Sequence, residues 1–263
     1  MNIEANGITM RYTLEGPAGA PVVTLSHSLA THVGMWDATA PALAASFRVL
    51  RYDTRGHGGT DAPAGPYSLD VLAADALALL GALGIQRTHW VGLSMGGMIG
   101  QTIALKARGT LLSLCLCDTT SRVPPEARGT WAERIATAER QGMEPLVEPT
   151  IARWFTPDFV RTQPEVVDRV RAMIRETPPR GYVGCCHAIA RLDLTDRLGE
   201  IGMPTLVVVG EEDQGTPVSA ARTIHEHVRG SELVVLKSAS HLSNIEQPDA
   251  FNRAVQHFVA TAP

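Results

Sequence analysis

The 263-residue sequence predicts an α/β fold, with a mostly parallel β-sheet, helices on both faces and an inserted helical cap. Three observations support this prediction. Short apolar runs alternate with apolar residues at helical spacing near the start of the chain and again near its end. A proline-rich stretch between these parts shows no strand pattern. A glycine-rich turn also joins a strand-like run directly to a helix-like run at residues 90–98.

The first part of the chain predicts strands and helices in alternation. Apolar runs bounded by turn residues predict strands at residues 8–14, 21–26, 48–52, 88–93 and 111–117. Helical spacing of apolar side chains predicts helices at residues 35–45, 68–83 and 95–107. Ser68 is suited to cap the second helix, and Gly84 to end it. Because strands and helices alternate, we expect the strands to be parallel and covered on both faces.

The alternation stops after Asp118. Prolines recur between about residues 122 and 179, and no strand pattern appears there, which predicts a helical insertion. The alternation then resumes with a strand at 204–210, a helix at 218–229, a strand at 232–236 and a helix at 245–260. We therefore predict a core formed by residues 1–121 and 196–263, and a cap formed by residues 122–195.

Composition and charge restrict the class of partner. The net charge of −4 gives no electrostatic basis for binding nucleic acid or an anionic membrane surface. No apolar run approaches the roughly 20 residues of a membrane span, and the first residues lack a signal-peptide pattern. We expect a cytoplasmic protein that acts on a small molecule. The sequence leaves the oligomeric state open, and a homo-oligomer is compatible with it.

The turn at residues 90–98 contains the pentapeptide Gly-Leu-Ser-Met-Gly, with Ser94 at its centre. A strand that passes directly into a helix strains the residue at the turn and exposes its side chain. Gly92 and Gly96 lie where such a turn leaves no room for a Cβ. The pattern predicts a nucleophilic serine at a helix N-terminus, with the amide of Met95 directed at the group under attack. A glycine-rich turn with an incidental serine is the alternative.

A serine hydroxyl is a weak nucleophile, so it needs a histidine base that a carboxylate orients. Asp213 and His241 lie in loops just after predicted strands, at the sheet edge where open α/β sheets place their sites. They follow Ser94 in the order acid, then base. We predict that His241 takes the serine proton and that Asp213 orients the imidazole. Asp118 also ends a predicted strand and is the alternative acid.

The other histidines fit the role of base less well, because they lie on helices, begin a strand, lack a strand before them or precede the serine. They are His27, His32, His57, His89, His187, His225, His227 and His257. The sequence contains no cluster with the spacing of metal ligands, and we expect neither a metal nor an organic cofactor.

Two further loops follow predicted strands. The loop after residues 21–26 is expected to supply a second oxyanion donor, the backbone amide of Leu29, with a purely structural turn as the alternative. The glycine-rich segment at residues 52–59 lacks the Gly-Lys-Ser/Thr end of a phosphate-binding loop. We predict a structural turn there, with Asp53 and Arg55 in internal hydrogen bonds.

At these motifs the sequence resembles the cofactor-free α/β-hydrolases, and within them the 3-oxoadipate enol-lactonases. The resemblance covers nearly the whole chain and is carried by residues 26–29, 51–58, 92–97, 153–156 and 239–246. The first three runs are shared by many esterases, perhydrolases and haloperoxidase-like enzymes. The last two are more particular to the lactonases. Ser28 stands where many relatives have glycine, a difference that would narrow the pocket.

The resemblance implies a role for specific residues. The nucleophile, acid, base and two oxyanion amides of the family fall on Ser94, Asp213, His241, Leu29 and Met95. The fold it implies is the α/β-hydrolase fold with an inserted cap. The reaction it implies is hydrolysis, without a cofactor, of a small carboxylic ester or lactone.

The family substrate is an unsaturated lactone with a free carboxylate. For such a substrate, Trp154 in the cap would supply an apolar wall and Arg153 a positive charge. Packing of Trp154 between cap and core, and a solvated Arg153, are the alternatives. A 3-oxoadipate enol-lactonase is therefore the leading hypothesis. A general short-chain carboxylesterase, and a hydrolase-like ligand receptor, remain as alternatives.

Overall fold

The computed structural model describes residues 1–262, and within them eight strands form one sheet. The strands are β1 (Asn2–Ala5), β2 (Ile8–Glu15), β3 (Val22–Ser26), β4 (Arg48–Tyr52), β5 (Thr88–Leu93), β6 (Leu111–Cys117), β7 (Thr205–Gly210) and β8 (Glu232–Leu236). Their order is β1-β2-β4-β3-β5-β6-β7-β8. The hairpin β1–β2 and the β2–β4 pair are antiparallel, and the remaining pairs are parallel. The predicted mostly parallel sheet is confirmed.

Helices flank this sheet in two groups. The helices outside the insertion are α1 (Ala40–Ala44), α2 (Leu69–Ala82), α3 (Met95–Lys106), α9 (Val218–His227), α10 (Ser243–Glu246) and α11 (Pro248–Thr261). Helices α2, α3 and α9 form one layer together with the 3₁₀ segment Thr195–Glu200, while α1 and α11 pack on each other as a second group. Every residue of β5 and β7 is buried, as expected for parallel strands covered on both faces.

The insertion between β6 and β7 is helical. It contains α4 (Arg128–Gln141), α5 (Glu144–Trp154), α6 (Pro157–Thr162), α7 (Pro164–Glu176) and α8 (Pro179–Ile189). An antiparallel bridge pairs Arg122 with Asp193 where the chain enters and leaves this segment. The Arg122 guanidinium also contacts the carboxylates of Asp193 at 2.5 Å and Asp196 at 2.9 Å. We keep the name cap for residues 122–195. Its definition as a separate domain stays a prediction.

The structure differs from the sequence predictions at three elements. Residues 35–45 were expected as one helix, but they contain the end of the 3₁₀ turn Val33–Trp36 and then α1. Residues 245–260 were also expected as one helix, but α10 and α11 are separate. The second break lies at Gln247, just before Pro248, whose ring disfavours helical geometry at the preceding residue. Pro41 is in the first turn of α1, where a proline is tolerated. The third difference is β1, which the sequence did not predict.

No helix within residues 1–262 combines the length and the apolar character that crossing a bilayer requires.

Candidate active site

Ser94 lies between the last residue of β5 and the first residue of α3, with φ 54° and ψ −114°. A positive φ is strained for a residue with a Cβ, so surrounding contacts must hold this conformation. The Ser94 N–H donates to Cys117 O at 2.9 Å. Thr119 Oγ1 donates to Ser94 O at 2.7 Å. The turn therefore has the predicted strand–turn–helix geometry.

The two flanking glycines are required by close backbone approach. A Cβ on Gly92 would lie 2.2 Å from Gly96 O, and a Cβ on Gly96 would lie 2.0 Å from Ser26 O. Trp90, fully buried in β5, donates from Nε1 to Gly96 O at 3.0 Å. The start of α3 is therefore fixed against β3 and β5, and Ser94 is fixed with it.

Asp213 and His241 form a hydrogen-bonded pair, with 2.8 Å between Asp213 Oδ2 and His241 Nδ1. Asp213 Oδ1 accepts from the N–H groups of Gly215 at 2.8 Å and Thr216 at 3.0 Å, and Thr216 Oγ1 donates to Oδ2 at 2.7 Å. Burial opposes ionisation, but the His241 charge and the Thr216 hydrogen bonds outweigh it and lower the pKa of Asp213. The carboxylate is thus held ionised against the imidazole.

Ser94 and His241 line one cavity of about 620 Å³ at the junction of core and cap. Leu29, Arg153 and Trp154 line the same cavity. The structure thus brings five of the seven predicted site residues to one surface. The other two lie directly behind it: Asp213 is hydrogen-bonded to His241, and Met95 follows Ser94 with a fully buried side chain.

The N–H groups of Leu29 and Met95 have no protein acceptor within residues 1–262. Unpaired backbone donors beside a nucleophile are what stabilisation of an oxyanion requires. Leu29 lines the cavity, and Met95 is the first residue of α3, where the helix dipole adds partial positive charge. Both amides are therefore available as oxyanion donors.

Two buried histidines hold the loop that carries Leu29. His27 Nε2 accepts from Thr54 N at 2.8 Å, and His57 Nε2 accepts from Ala30 N at 3.0 Å. Burial lowers the pKa of His27 to about 4 and that of His57 to about 3, so both rings are neutral near pH 7. The sequence indicated that both histidines fit the role of base less well than His241, and it did not predict this structural role. Their positions just after β3 and β4 were the available signal.

The segment at residues 52–59 is structural, as predicted. Asp53 accepts from the N–H groups of Val33 and Gly59, each at 2.8 Å. Arg55 and Asp75 form a two-point ion pair with both distances 2.6 Å. The two predicted internal partners, Asp53 and Arg55, are thus both engaged in hydrogen bonds within the core.

Asp118, the alternative acid, has different partners from Asp213. It is fully buried and accepts from Gly210 N at 2.8 Å and Ser243 Oγ at 2.6 Å. Burial, followed by the negative charge of Asp213, raises its pKa well above the ordinary value. The carboxyl that contacts His241 is therefore that of Asp213.

Both predicted cap residues contact the cavity. Trp154 stacks on His241 with 6.1 Å between ring centroids and 28° between ring planes. Arg153 is half-buried, and its Nη2 donates to Thr150 Oγ1 at 3.2 Å. Burial and the nearby Arg134 lower the pKa of Arg153 to about 10. The structure does not show the fully solvated Arg153 that was the alternative.

Two further arginines, Arg122 and Arg134, line the cavity and were not predicted. Arg122 is paired with Asp193 and Asp196. The Arg134 guanidinium lies over the Trp131 ring at 4.7 Å from its centroid, and both side chains line the cavity. Neither Arg134 nor Arg153 has a carboxylate within salt-bridge distance in residues 1–262. Trp131 and Arg134 are three positions apart on α4, a spacing that allows their contact, but nothing in the sequence indicated that they line the cavity. Across the same residues, no group of three His, Cys, Asp or Glu side chains is arranged to hold a metal ion.

The fold and this site define a hydrolase-type α/β protein, and the comparison with known families agrees. Residues 21–248 match the family described as alpha/beta hydrolase fold, and the chain belongs to that family. It is 36% identical over 254 residues to 3-oxoadipate enol-lactonase 2 of Acinetobacter baylyi. The alignment covers 97% of this chain and 94% of that protein.

Solved structures give the same result. The enol-lactonase from Burkholderia xenovorans LB400 matches with a TM-score of 0.96 and 37% identity, covering 99% of this chain and all of that one.

Among the sequence relatives, the putative carbamate hydrolase RutD of Agrobacterium fabrum is more distant. It is 29% identical to this chain over 269 residues and is matched across 99% of its length. The predicted fold and the predicted resemblance to enol-lactonases are confirmed. The chain is an enol-lactonase-like α/β-hydrolase.

Proposed function

We propose that this protein hydrolyses small carboxylic esters or lactones through an acyl-enzyme on Ser94, with an enol-lactone of the 3-oxoadipate type as its preferred substrate. The observation that carries this proposal is the placement of a strained Ser94 and an Asp213-bound His241 on one cavity. The similarity of the whole chain to enol-lactonases supports the choice of substrate.

The proposed reaction follows from this geometry. His241 Nδ1 is engaged by Asp213, so Nε2 is the atom that takes the Ser94 proton. Ser94 Oγ then attacks the lactone carbonyl, and the N–H groups of Leu29 and Met95 stabilise the oxyanion that forms. Collapse breaks the ring C–O bond, and Nε2 returns the proton to the leaving oxygen. Water, activated by the same imidazole, then cleaves the acyl-enzyme and restores Ser94.

Two of the three cavity arginines, Arg134 and Arg153, have no carboxylate partner, and this supports an anionic substrate. Burial without a nearby carboxylate disfavours a charged guanidinium, as the lowered pKa of Arg153 indicates. A substrate carboxylate would supply the missing counter-charge through charge-assisted hydrogen bonds. A neutral ester would leave Arg153 and Arg134 unpaired. The arginines therefore favour an anionic lactone over the general short-chain esters of the alternative hypothesis.

The nucleophile is tested by Ser94→Ala. We expect hydrolysis of the enol-lactone and of p-nitrophenyl acetate to fall by about 10⁴–10⁶-fold, since only binding and oxyanion effects would remain. The control is Ser46→Ala, an exposed serine after α1, which should keep wild-type activity. A folded Ser94→Ala protein with more than about a tenth of wild-type turnover would contradict the assignment. Absence of multiple turnover in wild type would favour the receptor hypothesis.

The substrate class is tested by comparing kcat/KM for the anionic enol-lactone with that for a neutral lactone of the same ring size. Arg153→Met and Arg134→Met should each lower the preference for the anion by about 10–100-fold, the loss expected for a hydrogen bond to a charged group. Arg161→Met, on the exposed face of α6, is the matched control. Equal kcat/KM for the two lactones in wild type would show that the cavity ignores the carboxylate, and would favour the general esterase.

A further inference from the structure

Glu246 is a buried carboxylate that the proposed reaction does not use. It ends α10, five positions after His241, and is 6% exposed. Its Oε1 accepts from both Thr156 N and Thr156 Oγ1 at 2.8 Å. Its Oε2 accepts from Ser240 N. One carboxylate therefore joins the cap residue before α6 to the residue before His241.

Neighbouring hydrogen bonds join the same two segments. Leu242 N donates to Trp154 O at 3.1 Å, and Ser240 Oγ donates to Arg153 O at 3.1 Å. The residues on either side of His241 are thus hydrogen-bonded to the main chain of Arg153 and Trp154, two of the cap residues that line the cavity. The Trp154 ring also stacks on the imidazole. Residues 153–156 and 240–242 are consequently joined by several hydrogen bonds, and Glu246 adds three more by binding Thr156 and Ser240.

We propose that Glu246 is a positioning residue for His241, fixing the histidine loop to the cap segment that lines the substrate cavity. This inference rests on the proposed function. A substrate that binds against Arg153 and Trp154 would then meet the base at a fixed distance. Displacement of a reacting group by about 1 Å can cost on the order of 100-fold in rate, so such a connection has a kinetic consequence.

The chemistry of the contact requires a carboxylate. Three donors point at its two oxygens, and within residues 1–262 no cation lies within salt-bridge distance of Glu246. Glutamine has the same size but offers one acceptor oxygen, so its amide NH₂ would face an N–H of either Ser240 or Thr156. Aspartate is one methylene shorter and cannot span both partners. Glu246→Gln therefore breaks one side of the connection with little change in volume.

The test compares Glu246→Gln with wild type in two reactions. One is turnover of p-nitrophenyl acetate, a small neutral ester with no carboxylate for the cap arginines. The other is phosphorylation of Ser94 by diethyl p-nitrophenyl phosphate, which requires the nucleophile and its base. We expect kcat for the ester and the phosphorylation rate both to fall about 10–100-fold, with KM changed by less than about 3-fold. Glu165→Gln, exposed on α7, should match wild type.

Thr156 provides a second pair of variants for the event that Glu246→Gln fails to fold. Thr156→Val removes the Oγ1 donor and should lower kcat about 3–10-fold, whereas Thr156→Ser keeps the donor and should restore it. If Glu246→Gln raises KM for the anionic lactone but leaves both the ester kcat and the phosphorylation rate unchanged, Glu246 only holds the cap and the inference is wrong. The same conclusion follows if Thr156→Val and Thr156→Ser behave alike. If wild type neither turns over the ester nor is phosphorylated at Ser94, it is the proposed function that fails.

Discussion

At the scale of single residues, two buried carboxyls near the cavity have opposite surroundings. Asp213 receives two N–H groups, a hydroxyl and the imidazole of His241, which together keep it ionised. Asp118 receives one N–H and one hydroxyl, and the adjacent negative charge of Asp213 adds to its cost of ionisation. We infer that Asp213 orients the base, whereas Asp118 joins the end of β6 to β7 and α10.

This difference predicts distinct effects of two isosteric substitutions. Asp213→Asn should lower kcat by about 10⁴-fold, because the amide favours the wrong imidazole tautomer. Asp118→Asn should change kcat by less than about 10-fold and act mainly on stability, because Asp118 hydrogen-bonds to Gly210 and Ser243 and not to the imidazole. Steady-state kinetics with urea unfolding of both variants would measure the two effects. A larger kcat loss in Asp118→Asn would reverse our assignment of the acid.

The residues that sequence predicts and those it misses differ in a physical way. Ser94, Asp213 and His241 each follow a strand, so local patterns and chain order sufficed to select them. Glu246 meets Thr156 across 90 positions of the chain, and no local pattern reports such a contact. The same holds for His57, whose partner Ala30 lies 27 positions earlier. Roles that depend on packing between distant segments were therefore not predictable.

At the scale of elements, the junction of β5 and α3 depends on glycines, because they have no Cβ. We predict that Gly96→Ala lowers the free energy of unfolding by about 1–3 kcal/mol or more, because its Cβ would lie 2.0 Å from Ser26 O, a backbone atom. Gly81→Ala in α2 is the control. No atom lies within 4 Å of its Cβ, and alanine should stabilise that helix by about 0.5–1 kcal/mol.

Urea unfolding of both glycine variants would check this prediction, with ester hydrolysis as a second measurement. Gly96→Ala should also lose activity, since a shift of the α3 start displaces both Ser94 and the Met95 amide. If Gly96→Ala were as stable and as active as Gly81→Ala, the close approach between β3 and α3 would not exist.

The boundaries of elements were less predictable than their type. Apolar periodicity continues past Pro41 and Pro248, so it favoured one helix where the backbone forms two elements. Strand β1 has four residues, and only its last, Ala5, is buried, so its alternation of polar and apolar residues is too short to stand out. The available signal for this hairpin was the Asn6-Gly7 pair between β1 and β2, a two-residue turn in which both residues have positive φ. The parallel strands, buried on both faces, had a strong signal.

At the scale of the whole molecule, His27 and His57 link stability to pH. Both are neutral when folded, with pKa values lowered by burial to about 4 and about 3 from an ordinary value of 6.5. Below pH 6.5 the unfolded chain therefore binds protons that the folded chain does not. Their contribution to stability is complete above pH 6.5 and is lost as the pH falls through this window, at up to about 1.4 kcal/mol per pH unit for each histidine.

We accordingly predict that the free energy of unfolding falls between pH 6 and pH 4.5, and that His57→Gln reduces this slope. Glutamine can still accept from Ala30 N–H but takes up no proton, so the slope should decrease by up to about 1.4 kcal/mol per pH unit. Urea titrations at several pH values would measure both slopes. Equal slopes in wild type and His57→Gln would show that His57 is protonated in the folded chain.

The bridge between Arg122 and Asp193 has a consequence for engineering and evolution. Because Arg122 and Asp193 pair where the chain enters and leaves the cap, we expect that a segment of different length or shape could replace the residues between them without moving β6 or β7. Under the proposed function, we expect such a transplant to change substrate preference while Ser94, Asp213 and His241 keep their places. A donor segment without threonine at the position of Thr156 would remove the hydroxyl donor to Glu246 and leave only the backbone N–H on that side. We therefore expect active chimaeras to be those in which the new cap segment carries this threonine as well as its own cavity-lining residues.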